Sequence, residues 1–249
     1  MRRALVLLLL VTSFAVNSEA QRRRAVSPKR PADGPAITVN DDFHNGALGW
    51  TAGFADYGIY TDLEVMELES GIRALPPEVG TGTGFMISGH NRSDDLFMFL
   101  KKRLTAADGI EPARRYQASF RVTLASNAGG SNCGGIGGHP GYSVFLKVGA
   151  SGEEPRVELV GTHWRMTVDI GSQSQSGTAA SVAGHTSTES DRCTGDAPYV
   201  TIERTHTHTS LVTADDFGEL WLLVGTDSGF EGKTTLYYQR IEVTLTPVE

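Results

Sequence analysis

"YQASFRVTL", residues 116–124, decides the fold of this chain. Tyr116, Ala118, Phe120, Val122 and Leu124 alternate with Gln117, Ser119, Arg121 and Thr123. An apolar period of two over a run this long marks a strand with one face on a core and the other in water. The C-terminal "LYYQRIEVTL" (236–245) repeats the pattern, with Tyr237, Ile241, Val243 and Leu245 expected on one face and Arg240, Glu242 and Thr244 on the other. Shorter runs lie between these two: "DLFMFLKKRL", "YSVFLKVGA", "RVELV", "WRMTVDI", "YVTIER" and "ELWLLVG". "AITVNDDF", "LEVMELE" and "GFMISG" precede them, and Gly, Pro, Asn, Asp or Ser bound most of the runs. No window of a dozen residues carries a capped helical period, and "LTAADGIEPA" has room for one helical turn before Pro112. The chain therefore reads as all-β: about eleven or twelve strands in a two-sheet antiparallel β-sandwich, with a jelly-roll-like topology.

The ends are of a different kind. "MRRALVLLLLVTSFAVNSEA" (1–20) has basic residues, an apolar stretch and a small-residue exit, the pattern of a secretory signal peptide. Its apolar run is short for a bilayer span, and no second one follows, so no transmembrane segment is expected. Residues 21–37 are basic and proline-rich and read as a solvated linker, leaving 38–249 as one β-sandwich domain. The expected location is outside the cytoplasm, extracellular or periplasmic. Residues 36–249 hold 15 Lys and Arg against 27 Asp and Glu, a net of −12 without histidine. That balance argues against a nucleic-acid partner, which calls for a basic surface.

"CGGIGGHPG" (133–141) is the stretch that most resembles a catalytic loop. From Gly135 its glycines miss the last position of a dinucleotide fingerprint, and no strand–helix context follows. No Gly-Lys-Ser/Thr follows either, so it is not a phosphate-binding loop. In an oxidising compartment the only two cysteines, Cys133 and Cys193, are expected to pair. Their bridge closes about 60 residues, worth roughly 4 kcal/mol on the chain-entropy model. It also tethers the polar stretch 171–198, which reads as one long loop.

Ligand-binding candidates come from two places. Trp50 and Tyr57 lie in "GWTAGFADYGIY", an aromatic and glycine-rich patch suited to stacking on sugar rings. His90, Asn91, Arg92, Asp94 and Asp95 crowd "GHNRSDD" before an apolar strand, where side chains converge on a ligand or a calcium ion or simply form a solvated turn. Asn91-Arg92-Ser93 also matches a glycosylation acceptor. His206 and His208 alternate in "RTHTHTS" and are weak zinc candidates, needing a third ligand such as His163 or His185. Asp227 and Glu231 offer a carboxylate pair. No serine-hydrolase or zincin motif is present, and no catalytic residue is assigned.

"GWTAGFADY", "SGHNRSDDLFMFLKKRL", "CGGIGGHPGYSVFLKVGA" and "GELWLLVGTDSGFEGKTTLYYQRIEV" resemble an uncharacterised family of secreted bacterial single-domain proteins and lipoproteins, over most of residues 41–245. "FLKKRLTAADGIEPARRYQASFRVTLAS" is loosely similar to the strand–loop–strand passage of jelly-roll carbohydrate-binding modules. Many of those end in a strand whose paired aspartates help hold a structural calcium; here Gln239-Arg240 stands in that place, so the resemblance does not carry the calcium over, and no cofactor is expected. It implies a non-catalytic protein that binds a glycan or cell-surface ligand. A polysaccharide hydrolase or lyase on the same scaffold, and an envelope interaction protein without a small ligand, are the alternatives.

Overall fold

The computed structural model describes residues 34–92, 95–130, 132–193, 195 and 197–249. The expected signal peptide, most of the expected linker and Asp94 lie outside the described residues. β1 takes up Ile37, the last residue of the expected linker.

The larger sheet contains β1 (Ile37–Asp42), β4 (Glu69–Ala74), β5 (Thr83–His90), β7 (Arg115–Ser126), β12 (Val200–Thr207), β13 (Val212–Thr213) and β15 (Lys233–Val248). Its order is β12-β7-β15-β5-β4, and β13 adds to β7. β15 organises it: β7 lies along one edge, while β5 and then β1 share the other. The second sheet contains β2 (Thr51–Ala55), β6 (Leu96–Leu104), β8 (Val144–Ser151), β11 (Ser181–His185) and β14 (Leu220–Ser228), in the order β11-β8-β14-β6-β2. Every pairing in both sheets is antiparallel, and the two enclose one core to which Phe120, Val122 and Leu124 contribute from β7 and Met98, Leu100, Leu222 and Val224 from β6 and β14. The all-β sandwich expected from the alternation is the fold observed.

Four expectations need correcting. First, a third layer is present: β3 (Tyr57–Gly58), β9 (Val157–Val160) and β10 (His163–Met166) pair into a small sheet. This region covers the outer face of the second sheet, where Phe97, Phe99 and Leu223 are buried against Ile170, Val157, Met166 and Val168. That is why β6 reads as a continuous apolar run rather than an alternation. Second, "LEVMELE" is not a strand. Leu63–Met66 form one helical turn (α1), because the Asp62 carboxylate accepts from Glu64 N–H and Glu67 closes the turn in a left-handed conformation at φ 48°. Third, a bulge between Tyr238 and Arg240 shifts the phase of β15. Tyr238 therefore joins Ile241, Val243 and Leu245 in the core, and Tyr237 is left half-buried. The polar stretch 171–198 is also not one loop, since it carries β11.

Candidate functional site

At one end of the sandwich the strand β7 ends, β14 turns into β15, and the chain returns into β12. Asn127, Gly195, Tyr199, Phe230, Lys233 and Thr235 line a pocket of about 390 Å³ there. Tyr199 packs edge-on against Tyr237, ring centroids 5.4 Å apart. Burial, and then the neighbouring Tyr237, push the Tyr199 phenol up to about 12, so it stays a neutral donor and acceptor. Half-buried aromatic rings beside an amide, a hydroxyl and an ammonium present apolar faces next to hydrogen-bonding groups.

Each wall has a sequence cause. Phe230 sits in the tight turn between β14 and β15, and its carbonyl accepts from Ser228 Oγ at 2.9 Å, Asn91 Nδ2 at 3.2 Å and Gly232 N–H at 3.2 Å. The glycine-rich stretch 133–141 packs behind that turn: Ile136 O accepts from Glu231 N–H at 2.9 Å. Gly137, at φ +73°, lies so close to the Gly229 carbonyl that a Cβ would collide with it, and a Cβ on Gly135 would meet the Phe230 ring at 2.6 Å. Cys133 and Cys193 are bridged, as expected, which ties this stretch to the segment leading to Tyr199. His139 folds onto its own loop, its Nδ1 3.1 Å from Cys133 O.

The expected site residues fall out differently. Trp50 is 2 % exposed, packed edge-on to Phe43, with its indole N–H donating to Asp41 Oδ2 at 2.8 Å. Its ring faces belong to the core and cannot stack on a ligand. Tyr57 packs against the same core. Asn91 is 1 % exposed and its amide donates to Ser228 O at 2.8 Å as well as to Phe230 O. It is a brace for the turn, and its burial is incompatible with glycan attachment to the folded chain. His90 pairs with Lys233 across β5 and β15, and Glu67 contacts both side chains. Arg92 is exposed and donates to Val65 O at 3.0 Å. His90 and Asn91 thus support the pocket from behind, and none of the described residues of "GHNRSDD" lines it.

Asp95 turns instead to the outer face of the second sheet. There Asp56, Asp95, Arg165 and Asp169 line a cavity of about 330 Å³. Arg165 donates to Asp56 Oδ1 at 2.9 Å and reaches Asp95 Oδ2 at 3.5 Å. Beneath them Lys147 and Asp227 form a fully buried pair at 2.8 Å. Asp227 is therefore committed to a salt bridge and does not pair with Glu231 as an acid–base couple.

His206 and His208 meet, but over a hydroxyl. His206 Nε2 and His208 Nδ1 each lie 2.9 Å from Ser181 Oγ, and His208 Nε2 is 3.0 Å from Thr178 O. The Thr178 carbonyl fixes Nε2 as the protonated nitrogen of His208, so Nδ1 accepts from Ser181. The nitrogens by which the two histidines approach each other are thus engaged by Ser181 and not turned toward an ion. His185 packs against Tyr142, and among the described residues no three histidine, cysteine or acidic side chains gather in a way that could hold a metal ion. Ser181 is itself fully buried, which closes it to a substrate. A groove of about 510 Å³ on the larger sheet is walled mainly by polar side chains, among them Arg121, Thr205, His206 and Glu242, and Phe120, which borders it, is buried in the core.

Of the pocket residues, none was legible as a site in the sequence. Phe230 carried a signal nonetheless: a large aromatic side chain inside a glycine-flanked turn has no strand face to bury it. Tyr199 read as the first residue of a strand, and only the return of β12 beside the end of β7 brings it to Phe230.

No protein-family model and no curated protein matches the chain. Solved structures of similar fold include a xylan-binding module, CBM15, at 13% identity and TM-score 0.37, matching over 85% of this chain and 98% of the module. A Caldicellulosiruptor saccharolyticus CBM27 module in complex with mannohexaose matches at 10% identity and TM-score 0.34, over 82% of this chain and 95% of that one. The K1 cleaved adhesin domain of Lys-gingipain from Porphyromonas gingivalis matches at 9% identity and TM-score 0.34, over 85% and 99%. The chain is thus loosely similar in fold to β-sandwich carbohydrate-binding modules.

Proposed function

We propose that the protein is a secreted, non-catalytic β-sandwich that binds a glycan in the pocket of Asn127, Tyr199, Phe230, Lys233 and Thr235. The observation that carries this reading is the pairing of half-buried Tyr199 and Phe230 with an amide, a hydroxyl and an ammonium in about 390 Å³. Sugars offer C–H faces to aromatic rings and hydroxyls to such groups, and a pocket of this volume accommodates one or two pyranose rings. The disulfide and the expected signal peptide support a location outside the cytoplasm. A glycan array followed by calorimetric titration of the best hit tests the reading, with a reducing-sugar assay on the same ligand. Saturable binding that Tyr199→Ala or Phe230→Ala weakens about tenfold, without turnover, supports it. Binding unaffected by both substitutions, no binding to any glycan, or hydrolysis of the ligand contradicts it.

The hydrolase alternative gains nothing from Asp95 and Asp227. Asp227 is shut away from solvent in its pair with Lys147, so it does not reach a substrate as one of the two carboxyls that glycosidic cleavage needs.

A further inference from the structure

The loop of residues 169–178 closes on itself through Asp169, whose carboxylate accepts from Gly171 N–H at 3.0 Å and from Thr178 N–H at 2.9 Å. It is fastened to the second sheet at three points. Lys147 Nζ donates to Ile170 O at 2.8 Å and to Gln175 O at 3.1 Å, and Gln173 N–H donates to Asp227 Oδ2 at 2.8 Å. All three fastenings depend on the buried Lys147–Asp227 pair.

That pair has one loose end. Asp227 Oδ1 is buried and accepts no hydrogen bond from a described donor, and the same holds for Asp95 Oδ1. The two side chains are in contact, and two carboxylate oxygens without donors repel each other. A single proton held between the two carboxyl groups removes that repulsion and supplies a donor that the described residues do not. We propose that Asp95 and Asp227 form a proton-sharing latch that holds the loop 169–178 on the outer face of the second sheet, and that loss of the shared proton loosens it.

The charged groups around the latch come from every element packed on it. Lys147 on β8 and Arg165 on β10 favour ionised carboxylates, while Asp56 after β2 and Asp169 in the loop add negative charge. Burial first, then the hydrogen bond and charge of Asp227 and the charge of Asp56, raise the Asp95 carboxyl to about 8, against the opposing pull of Arg165. The proton is therefore present at neutral pH. Opening the loop exposes Asp95 to water, where an ordinary carboxyl ionises near pH 4. Opening is thus proton-linked across the interval between those values and grows easier as pH rises.

Native-state hydrogen exchange of the amides of residues 170–178, corrected for intrinsic exchange, tests this on the folded protein. In the wild type the opening constant should climb by up to tenfold per pH unit between pH 5 and 8 and level off above. Asp95→Asn, which keeps a donor to Asp227 without a titrating proton, should hold the loop closed and flatten the profile. Asp56→Asn should leave the slope in place. A flat wild-type profile, an unchanged slope in Asp95→Asn, or a slope lost in Asp56→Asn overturns the proposal. A carboxyl-carbon NMR titration of Asp95 reads the same proton without a variant: a midpoint in the ordinary carboxylate range overturns it as well.

Discussion

Lys147 Nζ lies 2.8 Å from Asp227 Oδ2, with both side chains shut away from solvent on the outer face of the second sheet. Removing one member of such a pair leaves the other charge uncompensated, at a cost of about 3–5 kcal/mol, whereas replacing both with apolar groups is far less costly. Lys147→Met should therefore lower stability in urea unfolding by that amount, and the double variant Lys147→Met/Asp227→Leu should recover part of the loss. A single variant within 1 kcal/mol of wild type would show that the pair is solvated.

Trp50 and Tyr199 separate packing from recognition. Trp50→Phe removes the indole donor to Asp41 within a filled core, so stability should fall by about 1–2 kcal/mol. Glycan affinity should not change. An affinity loss as large as that of Tyr199→Ala would return Trp50 to the binding site.

The Cys133–Cys193 bridge closes a long loop and holds one wall of the pocket. Cys133→Ser/Cys193→Ser should reduce stability by roughly 2–4 kcal/mol and weaken glycan binding in parallel. Thiol titration of the denatured, unreduced wild type should find no free thiol. Unaltered affinity in a folded double serine variant would detach the bridge from the pocket.

Acid should weaken the fold through His208. Burial holds its imidazole below the usual histidine range, so the unfolded chain takes up a proton at a higher pH than the folded one does. Stability is then full above about pH 6.5 and is lost as pH falls from there toward the lowered native value. Asp95 acts in the opposite direction over the same interval, so the effect is read as a difference: the stability margin of wild type over His208→Gln in urea unfolding should shrink from pH 7 to pH 5. A margin that does not change with pH would place the proton elsewhere.

Much of the sandwich could be read from residues 116–124 and 241–245, where alternation alone assigns the buried face. Local chemistry that competes with periodicity was harder to read. Asp62 and Glu67 turn "LEVM" into a helical turn, and the bulge at Tyr238 reverses the face that Tyr237 presents. "GHNRSDD" drew attention as a polar cluster, yet His90 and Asn91 are braces whose partners lie more than a hundred residues away, at Lys233, Ser228 and Phe230. The buried Lys147 was invisible for the same reason: inside "YSVFLKVGA" a lysine reads as the wet face of a strand, and only the overlying loop and Asp227 show that it is not. The bridge expected between Cys133 and Cys193 is present, and the structure adds that the glycines of "CGGIGGHPG" admit the Phe230 turn.

Calorimetric titration of the best array-selected oligosaccharide into wild type, Tyr199→Ala and Phe230→Ala decides whether the pocket recognises glycan. Wild type should bind saturably and each variant about tenfold more weakly, with unfolding midpoints close to wild type. Equal affinity in all three proteins, or no glycan bound by the wild type, would contradict it.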